Sequence, residues 1–411
     1  MTDVRPRVVY LDQSAQLSGA QLAMLRLLPS LLRWVDARAV LAEDGPLVSR
    51  LEAAGVPTDV LPMAEAARGV RCEDVRPGRL GAASVAGAAS YVARLTRLLR
   101  RLEPALVHTN SLKAAIYGGL AARAARAPVV WHIRDRITPD YLPSPAVALV
   151  RALARRVPAA VIGNATTLPT LGACPSPLFA VPDPVDPRCF EVRPPEPVAR
   201  PSLRVGMVGR ITRWKGQDVF LTAFARAFPA GGAEAVVVGA PLFGEHEYER
   251  ELHQLVGRLG IADRVEFRGF REDIPAELST LDVVVHSSVL PEPFGQVVTE
   301  AMAAGLPVVA ADAGGPSLIV ADGVDGLLTP PGDVEALAAA LVRLAGDPAL
   351  RARLGEAGRR RARDFSADAA AAQVLDAYRA ALTDGRGGPV PFSSWPEPRR
   401  AGAGLLPGTD A

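Results

Sequence analysis

Short runs of Val, Ile, Leu and Ala alternate with longer helical patterns twice along this sequence, and a proline-rich stretch separates the two series. Buried parallel strands read as continuous apolar runs, and each needs a crossover, usually a helix, to reach its parallel neighbour. The alternation therefore restricts the chain to α/β architectures. The first series predicts strands at 7–11, 37–42, 106–108, 129–133 and 159–162. Six prolines (Pro184, Pro187, Pro194, Pro195, Pro197 and Pro201) then predict a hinge linker over 186–202. Strands resume at 203–208, 235–238, 265–267, 283–285 and 308–310. A length of 411 residues agrees with two domains, 1–185 and 203–365, each a doubly wound, parallel-sheet, Rossmann-like unit, the two facing a cleft. An amphipathic helix is expected at 366–382, and beyond it Gly, Pro, Ser and Arg predict a disordered tail over 383–411.

Two segments of the second series carry chemistry. Residues 291–310 read as loop, helix and buried strand, with Glu292 before the helix and Glu300 inside it. A helix opening near Gly295 or Gln296 presents free N–H groups and the positive end of its dipole, which suits a diphosphate. By spacing alone, Glu300 fits equally a solvated helix residue. The second segment runs from Gly206 to Gly216: strand 203–208 turns at Gly209, and a helical pattern begins at Gln217. Arg210 and Lys215 thus fall in a strand-to-helix loop, at the carboxyl edge where open α/β sheets bind ligands. The chain has only two lysines, Lys113 and Lys215, against forty-four arginines, so a retained lysine here is informative, although a surface role fits the composition as well.

The stretch from Glu292 through Phe294, Gly295 and Glu300 to Ala-Met-Ala-Ala-Gly-Leu-Pro-Val-Val resembles the Glu-x7-Glu segment of the GT-B glycosyltransferases of family 4 (retaining, group 1 type). The Gly209-Arg210…Lys215-Gly216 pattern is similar to theirs too, and the likeness extends over residues 7–382. It implies a retaining, metal-independent hexosyltransferase that moves a sugar from a nucleotide-sugar to an acceptor hydroxyl. Arg210, Lys215 and Glu292 would be catalytic; Gly209, Phe294, Gly295, Gln296, Val297 and Glu300 would bind the donor. It also implies that 1–185 binds the acceptor, that 203–365 binds the donor, and that helix 366–382 returns to the first domain. On the acceptor side, Gly19 sits in the place of a Gly-rich loop, though as a lone glycine before a helix it also reads as a plain turn. Asn110 and Arg134 stand where the family often has His, so Asn110, Arg134 and Asp135 are expected to line the cleft, with His108 and His132 packing behind them. Asp183, Pro184 and Ser317 are further departures from the family pattern. Two other readings stay open: a nucleotide-sugar epimerase of the same architecture, and a degenerate nucleotide-sugar-binding protein.

The sequence lacks a P-loop, a Gly-x-Gly-x-x-Gly after a strand, and an Asp-x-Asp triplet, and its five histidines form no paired-ligand motif. Neither metal nor cofactor is expected; the nucleotide-sugar is a substrate, and no nucleic-acid partner is expected. Three cysteines without metal spacing and no signal-peptide core point to a reduced, cytoplasmic setting. Residues 1–185 hold 22 basic and 14 acidic side chains, which fits an anionic acceptor, an acidic membrane face, or merely solvated arginine. Over 145–157, Val147, Val150, Leu153, Ala154 and Val157 recur at helical spacing beside Arg151, Arg155 and Arg156. That pattern fits a helix touching anionic lipid on the inner membrane face, with a lipid-linked acceptor. It fits equally a core-facing helix, leaving a sugar or small-molecule acceptor.

Overall fold

A computed structural model describes residues 5–64, 82–192, 202–241 and 244–383. The chain divides between Pro184 and Val185 and again between Ser366 and Ala367, so that the helix Ala367–Thr383 belongs with the first unit.

In the first unit, β1 (Arg7–Asp12), β2 (Asp36–Leu41), β3 (Thr58–Val60), β4 (Leu106–Thr109), β5 (Val129–Ile133), β6 (Ala160–Gly163) and β7 (Leu178–Ala180) form one sheet. Its order is β3-β2-β1-β4-β5-β6-β7 and every pairing is parallel. Strand order reverses between β1 and β4, which opens a ligand crevice at the carboxyl ends of those two strands. One face is covered by helices Gly19–Leu31 and Ala367–Thr383, whose Met24, Leu28, Val374 and Tyr378 pack against Val8, Tyr10 and Leu106. The other carries helices Ala82–Leu102, Leu112–Ala125 and Ser144–Ala154 around Trp131 and Ile133.

The second unit repeats the winding with β8 (Leu203–Val208), β9 (Ala233–Val238), β10 (Val265–Gly269), β11 (Val283–His286), β12 (Val308–Ala311) and β13 (Leu327–Thr329). The order is β10-β9-β8-β11-β12-β13, again parallel, with its switch point between β8 and β11. Part of the expected linker belongs to this unit: Cys189 and Val192 are buried in its core, as is Val185, expected as the last residue of the first domain, and Arg359 donates to the Val192 carbonyl at 3.0 Å. Residues 193–201 of that linker, and the expected tail beyond Thr383, lie outside the described residues.

Helix Ser144–Ala154 buries Ala146, Val147, Val150 and Ala154 in the first unit's core. Arg151 is used internally, donating to the carbonyls of Ile137 and Thr170 at 3.0 and 2.9 Å. The apolar stripe that a membrane-facing helix needs is thus already covered, while Arg155 and Arg156 are exposed. No helix among the described residues is long and apolar enough to cross a membrane.

Candidate active site

At the second unit's switch point, the loops leaving β8 and β11 are stitched together. The Val289 N–H donates to the Trp214 carbonyl at 2.8 Å, and Ser287 Oγ donates to the Gly216 carbonyl at 2.8 Å. Gly216 makes this approach possible: its φ is +73°, and a Cβ there would stand 2.2 Å from the Ser287 carbonyl oxygen. Gly209 turns the chain out of β8, and Arg213–Lys215 forms one 3-10 turn before helix Gln217–Ala227.

This stitching brings Lys215 and Glu292 together. Lys215 Nζ lies 2.7 Å from Glu292 Oε1 and 4.7 Å from the Trp214 ring, with side chains 12% and 14% exposed. The other carboxylate oxygen, Oε2, is 2.6 Å from His286 Nε2 and 3.2 Å from Ser288 Oγ. Burial alone would raise the Glu292 carboxyl; the Lys215 charge and the His286 hydrogen bond outweigh it and hold the group well below the ordinary carboxylate range. Glu292 is therefore an ionised acceptor. Its backbone is fixed as well, because Gly315 N–H donates to the Glu292 carbonyl at 2.7 Å. A Cβ on Gly314, where φ is +67°, would meet that same carbonyl oxygen at 2.3 Å.

Arg210 lies on the same loop, its Nε 3.5 Å from Glu245 and its guanidinium 5.9 Å from the Trp214 ring; Gln217 Nε2 donates to its carbonyl at 2.8 Å. Gly295, at φ +99°, starts helix Gln296–Ala303, and the Val298 and Thr299 N–H groups donate to the Gly295 carbonyl at 3.0 and 3.4 Å. Phe294 turns its ring into the core against Phe365, ring centres 5.9 Å apart. Val297 is buried and Gln296 half-buried. Glu300 is only 5% exposed, on a helix whose other buried members are Val297, Val298, Thr299, Ala301, Met302 and Ala303. It is not a solvated surface residue.

In the first unit the acceptor-side residues form a buried network at the ends of β1, β4 and β5. Asn110 Nδ2 donates to Asp12 at 2.8 Å, and Asn110 Oδ1 accepts from Arg134 Nη2 at 2.9 Å. Arg134 also pairs with Asp183, and Gln21 Nε2 donates to Asp12 at 2.9 Å. Asn110 is fully buried and Arg134 is 9% exposed. Asp135 is half-buried and accepts from Tyr141 at 3.1 Å; burial raises its carboxyl, partly offset by that bond and by Arg134. Gly19 is exposed at the first position of its helix. Behind these, Tyr10, Tyr378, His108 and His132 form a buried chain with contacts of 2.9, 2.8 and 3.2 Å. Burial, reinforced by Arg134, lowers His108 to about 3, so it stays neutral.

Sequence reasoning missed His286, Ser288 and Asp12. The signal for His286 and Asp12 was a single polar residue closing a buried apolar run, at the carboxyl end of a strand next to the switch point. Among the described residues, no cluster of His, Cys, Asp or Glu has the arrangement of a metal site.

Two parallel doubly wound units, with cationic and carboxylate side chains gathered at the switch point of the second, define a two-Rossmann-domain scaffold. The family models agree: "Glycosyl transferases group 1" matches residues 191–361 and "Glycosyltransferase Family 4" matches 46–168. The chain is 30% identical over 297 residues to the lipopolysaccharide core biosynthesis glycosyltransferase LpsD of Rhizobium meliloti, covering 69% of this chain and 77% of that protein. The crystal structure of Anabaena HepE in complex with UDP and glucose superposes with a TM-score of 0.77 at 30% identity, covering 90% of this chain and 99% of that one. A D-inositol 3-phosphate glycosyltransferase of Streptomyces avermitilis is 40% identical over 181 residues, 42% of this chain, and the match spans only 39% of that relative's length. The chain belongs to the group 1, family 4 glycosyltransferases of GT-B fold.

Proposed function

We propose that this protein transfers a hexosyl group from a nucleotide-sugar to an acceptor hydroxyl, with retention at the anomeric carbon and without a metal ion. The observation that carries the reading is the junction of the two loops at the β8/β11 switch point, which pairs Lys215 with Glu292 shortly before helix Gln296–Ala303 begins. In this reading the diphosphate lies against the helix start, Arg210 and Lys215, which take up the charge that develops as the bond from the anomeric carbon to the diphosphate oxygen breaks. Glu292 accepts hydrogen bonds from the sugar hydroxyls and Glu300 from the ribose. The acceptor oxygen bonds to the anomeric carbon on the face the diphosphate leaves, and its proton passes to a diphosphate oxygen. No enzyme carboxylate forms a covalent intermediate. The complexes of HepE with UDP, with UDP and glucose, and with UDP-glucose support a uridine donor as the first to try. The LpsD relationship supports a glycan or glycolipid acceptor, with a small-molecule glycoside as the other class.

The test is incubation with a panel of nucleotide-sugars, UDP-glucose first, with and without hydroxyl acceptors, reading free nucleotide and product by NMR. Free nucleotide with a new glycoside of the donor's anomeric configuration supports the proposal. An epimerised donor would replace it with epimerase chemistry, and intact donor under every condition would leave a binding protein.

A further inference from the structure

We infer that His286 is a positioning residue of the donor site, an N–H donor that holds the Glu292 carboxylate in place independently of Lys215. The inference rests on the donor-site reading above and goes beyond it by separating the anchor of Glu292 from the clamp on the diphosphate. The two oxygens of Glu292 have different kinds of partner. Oε1 faces Lys215, a mobile ammonium on a four-carbon stem, whereas Oε2 faces His286 and Ser288, which sit at and just beyond the end of β11, paired between β8 and β12. An arriving diphosphate draws on the Lys215 ammonium. If Lys215 were the sole anchor, donor binding would unseat the carboxylate meant to hold the donor's sugar.

The imidazole geometry fixes its role. At 2.6 Å from an ionised carboxylate oxygen, Nε2 must carry the hydrogen and donate it. His286 is 4% exposed and its Nδ1 is buried with no hydrogen-bond partner, so its contact with Glu292 runs through Nε2 alone. Ser288 Oγ adds a second donor to the same oxygen and is itself 1% exposed. A donor fixed on a buried strand end needs no reorganisation when the sugar arrives.

Calorimetric titration with UDP and with UDP-glucose, on the native protein, E292Q, H286L and H286Q, tests this. The ratio of the two affinities isolates what the glucosyl group adds, a quantity that general damage to the site would not move selectively. H286L should lower that ratio about tenfold, as E292Q does, while leaving UDP affinity within about twofold of native. H286Q, whose amide nitrogen lies the same number of bonds from Cα as Nε2, should recover most of the loss. The double variant H286L/E292Q should be no worse than E292Q, because both remove one unit. A native ratio in H286L, or H286Q as impaired as H286L, overturns the inference while leaving the donor site standing. No effect of E292Q on the ratio overturns the donor-site reading and this inference with it, as does a native protein that binds neither the UDP and UDP-glucose pair nor the corresponding ADP, GDP and dTDP pairs titrated in the same way.

Discussion

Replacing Lys215 by Met removes the ammonium and keeps an apolar stem over Trp214, so the variant isolates the charge. The Lys215 and Glu292 side chains are 12% and 14% exposed, close to the regime in which removing one partner of a buried pair costs about 3–5 kcal/mol. Glu292 keeps its His286 and Ser288 donors in the variant, which offsets part of that loss. The expected destabilisation is about 2 kcal/mol, or roughly 4–8 °C in the melting temperature of the second unit. The pH dependence has a definite sign. The native Glu292 carboxyl lies below its ordinary value of 4.5: burial raises it, and the Lys215 charge and the His286 hydrogen bond more than cancel that. A group whose pKa is depressed by folding stabilises the folded state above its unfolded pKa and loses that contribution as pH falls towards the folded value. The melting gap between native protein and Lys215→Met should therefore be full at pH 7 and narrow steadily below about pH 4.5. Thermal unfolding by calorimetry at a series of pH values measures it, and sugar transfer at pH 7 should fall about a hundredfold or more in parallel. Equal melting temperatures at pH 7, or a gap that widens on acidification, would refute the argument.

Transfer should continue in excess chelator, since the proposed mechanism gives Arg210, Lys215 and the helix start the part a cation would play; a divalent requirement restored by adding the ion back would contradict this. Gly314→Ala should lower donor affinity and melting temperature together, by about 2 kcal/mol or more in stability, because its Cβ would stand 2.3 Å from the Glu292 carbonyl oxygen at a φ of +67°. Native-like melting and donor binding in that variant would show that the loop can shift without cost.

The sheets were legible because their strands are buried on both faces, so that Val205, Met207 and Val208, or Val283 to Val285, read as unbroken apolar runs. Their observed ends agree with the sequence to within two residues. The strands that escaped, Thr58–Val60, Leu178–Ala180 and Leu327–Thr329, have three residues each and lie at sheet edges, too short to show a period. Lys215 and Glu292 were legible through their motifs, but their direct pairing was not, since it depends on Ser287 and Val289 bonding to the turn around Gly216. Asn110 and Arg134 were legible as loop residues at strand ends. That Arg134 would be engaged by Asp183, forty-nine positions away, is a tertiary fact that no local pattern carries.

The central claim is that the loops at the β8/β11 switch point hold a nucleoside diphosphate by Arg210, Lys215 and the start of helix Gln296–Ala303. Calorimetric titration of UDP into the native protein and Arg210→Ala, in chelator at low salt, tests it without any acceptor. Saturable binding is expected for the native protein, weakened about tenfold or more in Arg210→Ala. Equal affinity in the two proteins, or no binding of UDP, ADP, GDP or dTDP by the native protein, would contradict it.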